Sequence, residues 1–150
     1  QRVALPAKNC YTDSVILTAE KMVFGADCIA HADGKTVFIP YTIPGETLDV
    51  AITEEKRDFC RARIEHIVQA APQRVAPRCP HYMHCGGCSM QHLEPSAQVA
   101  VKQRVLEDNL RHIGKVKAES ILPPVHGPYW GYRFRARLSV NHVPQKGGIL

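Results

Sequence analysis

Three cysteines lie close together in one short segment, in the pattern Cys79-x5-Cys85-x2-Cys88. Thiolates are soft ligands that favour zinc or iron-sulfur clusters, so three on one loop can converge on a common metal centre. Gly86 and Gly87 let the backbone turn tightly between two of the ligands, and their amides can hydrogen-bond to the sulfurs. The pattern therefore predicts a metal site on Cys79, Cys85 and Cys88.

The cysteine pattern alone leaves the choice of metal open. A zinc site of three cysteines and one histidine is an alternative, with the histidine candidates His81, His84 and His92. Structural zinc sites more often contain two Cys-x2-4-Cys pairs, and only one pair here has that spacing. The other cysteines are Cys10, Cys28 and Cys60. Cys60 alternates with aliphatic residues on one face of a predicted strand, so we expect it in a core, and we interpret Cys28 in the same way.

Positive charge is concentrated in the second half of the chain. Residues 1–70 carry 8 basic and 10 acidic side chains, a net charge of −2, whereas residues 71–150 carry 11 and 4, a net charge of +7. A basic half favours a polyanion such as nucleic acid, since each neutralised phosphate releases counterions. The candidate contacts are Arg133, Arg135 and Arg137 on one strand face, with a second patch at Arg61 and Arg63. The alternative is a solvated basic surface.

The segment before the cysteines predicts a scaffold of strands. Apolar and polar residues alternate over 48–53 and again over 60–65, which is typical of half-buried strands. Earlier strands are predicted over 15–20, 26–31 and 35–39, separated by turns at 24–25 and 32–35. Five strands in about 55 residues favour a small closed barrel, a fold that often binds oligonucleotides.

The cysteine segment and the residues that follow it have a different character. Residues 69–92 contain three prolines and few apolar side chains, so something other than hydrophobic burial must order them. Apolar residues at three- and four-residue steps then predict a helix from Pro95 to about Ile113, with Gly114 just past its end. A strand is predicted over 133–142, followed by a turn and a return strand that begins at Ile149.

Composition excludes several classes of protein. The chain has 150 residues, of which 45% are apolar and 22% charged, as in ordinary globular proteins. Its apolar runs are far shorter than the roughly 20 residues that cross a bilayer, and the first residues have no secretory core. We expect a cytoplasmic monomer that does not bind membranes. The start at Gln1 and the unfinished strand at Leu150 indicate a fragment of a longer protein.

Three segments, in this order, resemble the bacterial 23S ribosomal RNA uracil-C5 methyltransferases. They are GKTVFIPYTIPGETLDVAITEEKRDFCRARI, RVAPRCPHYMHCGGCSMQHL and YWGYRFRARLSV. The resemblance covers essentially the whole chain. Members of this family have an N-terminal TRAM domain, a cysteine loop with a [4Fe-4S] cluster, a central RNA-binding domain and a Rossmann-like methyltransferase domain that binds S-adenosylmethionine.

The resemblance implies a mainly β fold with an α+β part. An OB-like, five-stranded TRAM barrel is expected over 1–69, an iron-sulfur loop over 70–93, and the beginning of the central RNA-binding domain over 94–150. Cys79, Cys85 and Cys88 would be three of the four cluster ligands, with the fourth beyond Leu150. The catalytic residues and the S-adenosylmethionine site would belong to a C-terminal domain outside this sequence. The implied function is recognition of 23S ribosomal RNA by an enzyme that methylates uridine at C5.

Three other functions are compatible with parts of this pattern. Related enzymes with the same two modules methylate transfer RNA. A zinc-stabilised module that binds nucleic acid without catalysis would also use a cysteine cluster. Radical S-adenosylmethionine enzymes also combine TRAM domains with clusters, but they space their cysteines as Cys-x3-Cys-x2-Cys, and the x5 gap here disfavours them.

Overall fold

A computed structural model describes residues 14–135, 142–143 and 148–149. Its elements are β1 (Ser14–Thr18), β2 (Lys21–Met22), β3 (Cys28–Ala32), β4 (Lys35–Ile39), β5 (Thr47–Glu55), β6 (Phe59–Gln69), α1 (Pro95–His112), β7 (His142–Val143) and β8 (Gly148–Ile149). Among the described residues, strands dominate and one helix follows them, which confirms the predicted mainly β fold.

Strands β1 to β6 form one sheet in the order β1-β5-β6-β4-β3-β2. Neighbouring strands are antiparallel except β4 and β6, which are parallel. The two edge strands, β1 and β2, are separated by only two residues of chain. The amide of Ala19 donates to the Glu46 carbonyl (2.8 Å), and the amide of Glu20 donates to the Ile29 carbonyl (2.8 Å). The sheet must therefore curl so that its two edges come near each other at this short connection. In the described sheet β1 and β2 are not paired, so the predicted barrel is not closed.

The alternating residues of the strands explain the core. In β5 the side chains of Leu48, Val50 and Ile52 are buried, while their neighbours are exposed or half-buried. Cys60 and Ala62 of β6 face the same interior, and Cys60 is 0% exposed. The largest fully buried apolar side chains of the described residues are Ile39, Leu48, Leu93, Val37 and Val50. The predicted position of Cys60 in the core is confirmed, and Cys28 is buried as well.

The structure contains six strands in this sheet where the sequence predicts five. The additional strand is the two-residue β2, which is too short for alternation to reveal. The strand predicted over 26–31 is displaced to 28–32 because Gly25 (φ 97°) and Ala26 (φ 72°) form a turn with left-handed backbone.

Helix α1 confirms the prediction from Pro95 onward, with Pro95 in its first turn and Ile113 as its C-terminal cap. None of its eighteen residues is fully buried, although Ala97 and Val101 pack against the core of the sheet. The left-handed residue after the helix is Lys115 (φ 53°), not Gly114. A Cβ on Gly114 would lie 3.2 Å from the Leu110 carbonyl oxygen, so a close approach to the helix favours glycine there.

The strand predicted over 133–142 is wrong for its first three residues. Residues 133–135 have no strand structure, and Phe134 is 97% exposed. Among the described residues no strand lies beside them, and an unpaired strand is not stable in water. Residues 136–141 of this prediction lie outside the described ranges. The pairing of β7 with β8 confirms a return strand at Ile149, and residues 144–147, predicted as the turn, lie outside the described residues.

Candidate functional site

The two ends of the cysteine loop, residues 70–93, lie side by side. Arg74 and Leu93 form an antiparallel bridge. On either side of it, the amide of Val75 donates to the His92 carbonyl (2.9 Å) and the amide of Glu94 donates to the Gln73 carbonyl (2.9 Å). The contacts that close the base of the loop therefore involve none of its cysteines.

A buried ion pair joins this base to the sheet. The carboxylate of Glu46, which is 0% exposed, accepts hydrogen bonds from the amides of Ile43 (2.9 Å) and Ala71 (3.2 Å). Arg74 donates to both of its oxygens, through Nε and Nη2, and Nη2 also donates to the Tyr41 carbonyl (2.9 Å). A bidentate ion pair of this kind has a fixed geometry, so it holds the loop in one orientation.

The environment of Glu46 favours its charged form. Burial by itself raises the pKa of this carboxyl, but the hydrogen bonds from Arg74, Ile43 and Ala71 more than offset that effect and hold the pKa below its usual range. Glu46 is therefore an ionised partner for Arg74 at neutral pH.

His92 and Tyr82 attach the loop to the sheet at a second place. His92 Nε2 lies 3.1 Å from the Thr42 carbonyl oxygen, and Nδ1 lies 2.6 Å from the Tyr82 hydroxyl. A carbonyl only accepts, so Nε2 donates to Thr42, and the single proton of the Tyr82 hydroxyl faces two acceptors, His92 Nδ1 and the Ser89 carbonyl oxygen. The same hydroxyl lies 2.8 Å from the Ser89 carbonyl oxygen. Burial, the largest influence, lowers the pKa of His92 and raises the pKa of Tyr82 to about 12, so both groups are neutral.

These contacts leave His92 without a ring nitrogen for a metal. Both nitrogens are engaged, and the side chain is 1% exposed. Of the histidines considered as zinc ligands, His92 is therefore an anchoring residue instead. His84 Nδ1 lies 3.1 Å from the Tyr82 carbonyl oxygen, within the loop itself.

The three cysteines occupy the outer part of the loop. Cys79 is half-buried, whereas Cys85 and Cys88 are exposed. The amide of Gly87 lies 3.5 Å from Cys85 Sγ, and Gly86 has a left-handed backbone (φ 71°). Within the described ranges, no three His, Cys, Asp or Glu side chains already meet as a metal site. The donor set fits a thiolate-bound centre by its chemistry, and the thiols are accessible, but the described side chains are not gathered around one point.

The two arginines of β6 that were predicted to contact nucleic acid, Arg61 and Arg63, are both paired with carboxylates. Arg61 lies 3.5 Å from Asp27 and 3.8 Å from Glu54, and its guanidinium stands 5.8 Å from the centre of the Phe38 ring. Arg63 donates to Glu65 at 2.7 Å. These partners reduce the positive charge that this side of the sheet offers to a polyanion.

The predicted arginines near the end of the chain are more accessible. Arg133 and Arg135 are exposed, and the Arg133 guanidinium lies 5.8 Å from the centre of the Tyr132 ring. Arg137 lies outside the described residues. Arg78 was not among the predicted contacts, and its guanidinium stands 5.1 Å from the centre of the Trp130 ring. Its position beside Cys79 was visible in the sequence, but nothing there indicated its contact with a residue 52 positions away.

The roles of Glu46 and Arg74 were not predicted either. Both lie in segments that resemble the methyltransferase family, but nothing in either segment indicates that they pair. In the described part of the chain, no helix has the length and apolar character needed to cross a membrane.

Comparison with known proteins identifies relatives of both the sheet and the loop. Residues 14–64 match the TRAM domain family. A protein of Bordetella parapertussis named 23S rRNA (uracil(1939)-C(5))-methyltransferase RlmD is 53% identical over 135 residues, which cover 90% of this chain and 29% of that protein. Proteins of the same name are 51% identical in Dechloromonas aromatica (81% of this chain, 28% of that protein) and 54% identical in Polaromonas sp. (90% and 29%). The chain thus spans less than a third of the length of these relatives.

Proposed function

We propose, from the premise that this chain carries a TRAM domain and is a relative of the 23S rRNA (uracil(1939)-C(5))-methyltransferases, that it is the RNA-recognition and cluster portion of such an enzyme. The observation that carries this proposal is an identity above 50% that extends from the sheet through the cysteine loop into α1. The relatives' names favour ribosomal RNA over transfer RNA, and methylation over a module that only binds. Such an enzyme acts in the bacterial cytoplasm.

We divide the chain into a TRAM domain over 1–69, a cysteine loop over 70–93 and the beginning of a central RNA-binding domain over 94–150. The TRAM match over 14–64 lies inside the first unit. The bridge between Arg74 and Leu93 closes the second, and α1 begins directly after it at Pro95.

The proposed reaction explains why a separate recognition portion is needed. S-adenosylmethionine, bound by another part of the enzyme, supplies the methyl group for uracil C5. A uracil stacked in folded RNA cannot be reached, so it must be turned out of its stack, and contacts elsewhere on the RNA must hold that deformation. The residues of this chain supply such contacts and carry out none of the chemistry.

We also propose that Cys79, Cys85 and Cys88 are ligands of a [4Fe-4S] cluster. Their thiolates are the usual ligands of such clusters, and the Gly87 amide beside Cys85 Sγ is a donor of the kind that surrounds cluster sulfurs. The outer loop buries only one of its side chains between Cys79 and Ser89, that of Tyr82. Metal-ligand bonds would add to the hydrogen bonds there the order that burial does not supply.

Cys85→Ser is expected to abolish stoichiometric iron in the intact protein purified without oxygen. The unchanged protein should contain about four iron and four acid-labile sulfide per chain. Cys60→Ala is the matched control, because Cys60 is buried in the sheet and should leave the iron content unchanged. Stoichiometric zinc in the unchanged protein would support the zinc alternative instead, and equal iron in Cys85→Ser would show that Cys85 is no ligand.

The activity itself is tested by methyl transfer. The intact protein, given labelled S-adenosylmethionine and unmodified 23S ribosomal RNA, should form 5-methyluridine in that RNA and none in transfer RNA. Label in transfer RNA alone would favour the transfer RNA enzyme, and label in neither would contradict the proposed function.

A further inference from the structure

Two segments of the chain carry positive charge and contain no acidic residue. Residues 71–93 and residues 120–150 contain neither Asp nor Glu. Arg74 is neutralised by Glu46, but among the described residues no carboxylate lies within ion-pair distance of Arg78, Arg133 or Arg135. Within the described ranges, these three arginines are exposed and unpaired, unlike the paired Arg61 and Arg63 of β6.

Residues 71–93 and 120–150 contact each other through the side chain of Trp130, and a second pair of arginine and aromatic ring lies within 120–150. The Arg78 guanidinium, from the cysteine loop, stands over the Trp130 ring at 5.1 Å, and the Arg133 guanidinium stands over the Tyr132 ring at 5.8 Å. Trp130 is 48% exposed and Tyr132 is 57% exposed. Each cation–π pair thus places a positive group beside an aromatic surface that water still reaches.

Exposed aromatic rings beside unpaired arginines have the two properties that single-stranded RNA requires. Every base presents a π-face that stacks on an aromatic ring, and every phosphate accepts from a guanidinium. Duplex RNA presents its phosphates but not its base faces. The absence of carboxylates from both segments removes the repulsion that a phosphate chain would meet elsewhere on this molecule.

We propose that Arg78, Trp130, Tyr132 and Arg133 form a stacking platform for unpaired RNA nucleotides. This inference rests on the proposed function and specifies which surface of the chain holds RNA and in which form. It assigns the main RNA contact to the place where the cysteine loop meets the segment after α1, and not to Arg61 and Arg63 of β6. Through Arg78, the residue before Cys79, the platform adjoins the proposed cluster loop.

Trp130 is the only tryptophan of the chain, so its fluorescence reports on the platform directly. Titration of the 150-residue chain with a single-stranded RNA oligonucleotide should quench this emission. The same strand annealed to its complement should quench it far less. Trp130→Leu should weaken binding of the single strand, measured by the anisotropy of a labelled oligonucleotide, at least about fivefold, because stacking contributes at this level for each base. Trp130→Tyr should restore most of the affinity.

Two matched controls separate the platform from general electrostatics. Arg78→Gln and Arg63→Gln each remove one positive charge, but Arg63 already has a carboxylate partner, so Arg78→Gln should cause the larger loss. Phe24 is 85% exposed and lies in the turn between β2 and β3, so Phe24→Leu should bind as the unchanged chain does. Circular dichroism of each variant confirms that its fold is retained.

The outcomes distinguish this proposal from the proposed function. If the chain binds RNA with unchanged Trp130 emission and Trp130→Leu binds equally well, the platform is wrong and the proposed function stands. Equal losses in Arg78→Gln and Arg63→Gln, or a preference for the duplex, also contradict the platform. If the unchanged chain binds no RNA, RNA recognition by this chain fails, and the platform fails with it.

Discussion

Glu46→Gln is expected to lower the free energy of unfolding by about 3 kcal/mol, because it leaves the Arg74 guanidinium without its counter-charge. Removing one member of a buried ion pair costs about 3–5 kcal/mol. Arg74 retains 20% of its side-chain exposure, which places the expected cost at the lower end of that range. Gln keeps the shape of the side chain, so the loss is electrostatic and leaves no cavity. Urea unfolding followed by circular dichroism measures the change.

Glu65→Gln is the matched control for this prediction. It breaks the pair with Arg63, whose side chains are 70% and 36% exposed, and should change stability by at most about 0.5 kcal/mol. Similar losses in the two variants would contradict the buried role of Glu46.

The pair of Glu46 and Arg74 also predicts the direction in which stability changes with pH. The folded pKa of Glu46 lies below its unfolded value, so the stability from its charged form is fully present above the unfolded pKa of about 4.3. That stability is lost as the pH falls through the lower, folded pKa. Glu46→Gln should lack this part of the acid dependence, and an unchanged acid profile would show that Glu46 does not titrate as the structure indicates.

Sequence alone predicted the periodic parts of the fold. The alternation over 48–53 and 60–65 predicted β5, β6 and the buried Cys60. A strand with one buried face alternates apolar and polar residues, so the pattern is visible in the sequence. Helix α1 was predictable for the same reason, with Pro95 marking its start. The strand β2 has only two residues, which are too few to show alternation, so it was not predicted.

Contacts between residues far apart in sequence could not be predicted from local sequence patterns. Glu46 and Arg74 are 28 positions apart, and each is indistinguishable locally from a surface charge. His92 was considered as a zinc ligand because cysteines lie nearby in the sequence, but its partners are Tyr82 and Thr42, which lies in the connection between β4 and β5. Arg61 and Arg63 were predicted as nucleic-acid contacts from their charge. The carboxylates beside Arg61 come from Asp27 and Glu54, which are not its neighbours in sequence, so this pairing was not predictable.

Leu93→Ala is the second variant with a large expected effect, a loss of about 3 kcal/mol in the free energy of unfolding. Leu93 is 1% exposed and extends from the end of the cysteine loop into the core of the sheet. Truncation of a buried leucine removes transfer free energy and leaves a cavity, at a typical cost of about 2–5 kcal/mol. Leu106→Ala is the control, because Leu106 of α1 is 53% exposed and should change stability by at most about 0.5 kcal/mol.

The effect of Leu93→Ala should also be largest near the base of the loop, because Leu93 forms the bridge with Arg74 that closes it. Amide hydrogen exchange should accelerate at Val75 and Glu94, whose hydrogen bonds close the base of the loop, before it accelerates in β5 and β6. Uniform acceleration across the sheet and the loop would contradict a separate loop unit.

A double-mutant cycle of Leu93→Ala with Cys85→Ser then connects this anchor to the proposed cluster. If Leu93 holds the base of the loop and the cluster orders its outer part, each variant loosens what the other depends on, and their effects on stability in the intact protein should not add. Strict additivity would mean that the base and the outer part are ordered independently. In that case the Glu46–Arg74 pair, the His92–Tyr82 contact and Leu93 would suffice to fix the loop without help from its cysteines.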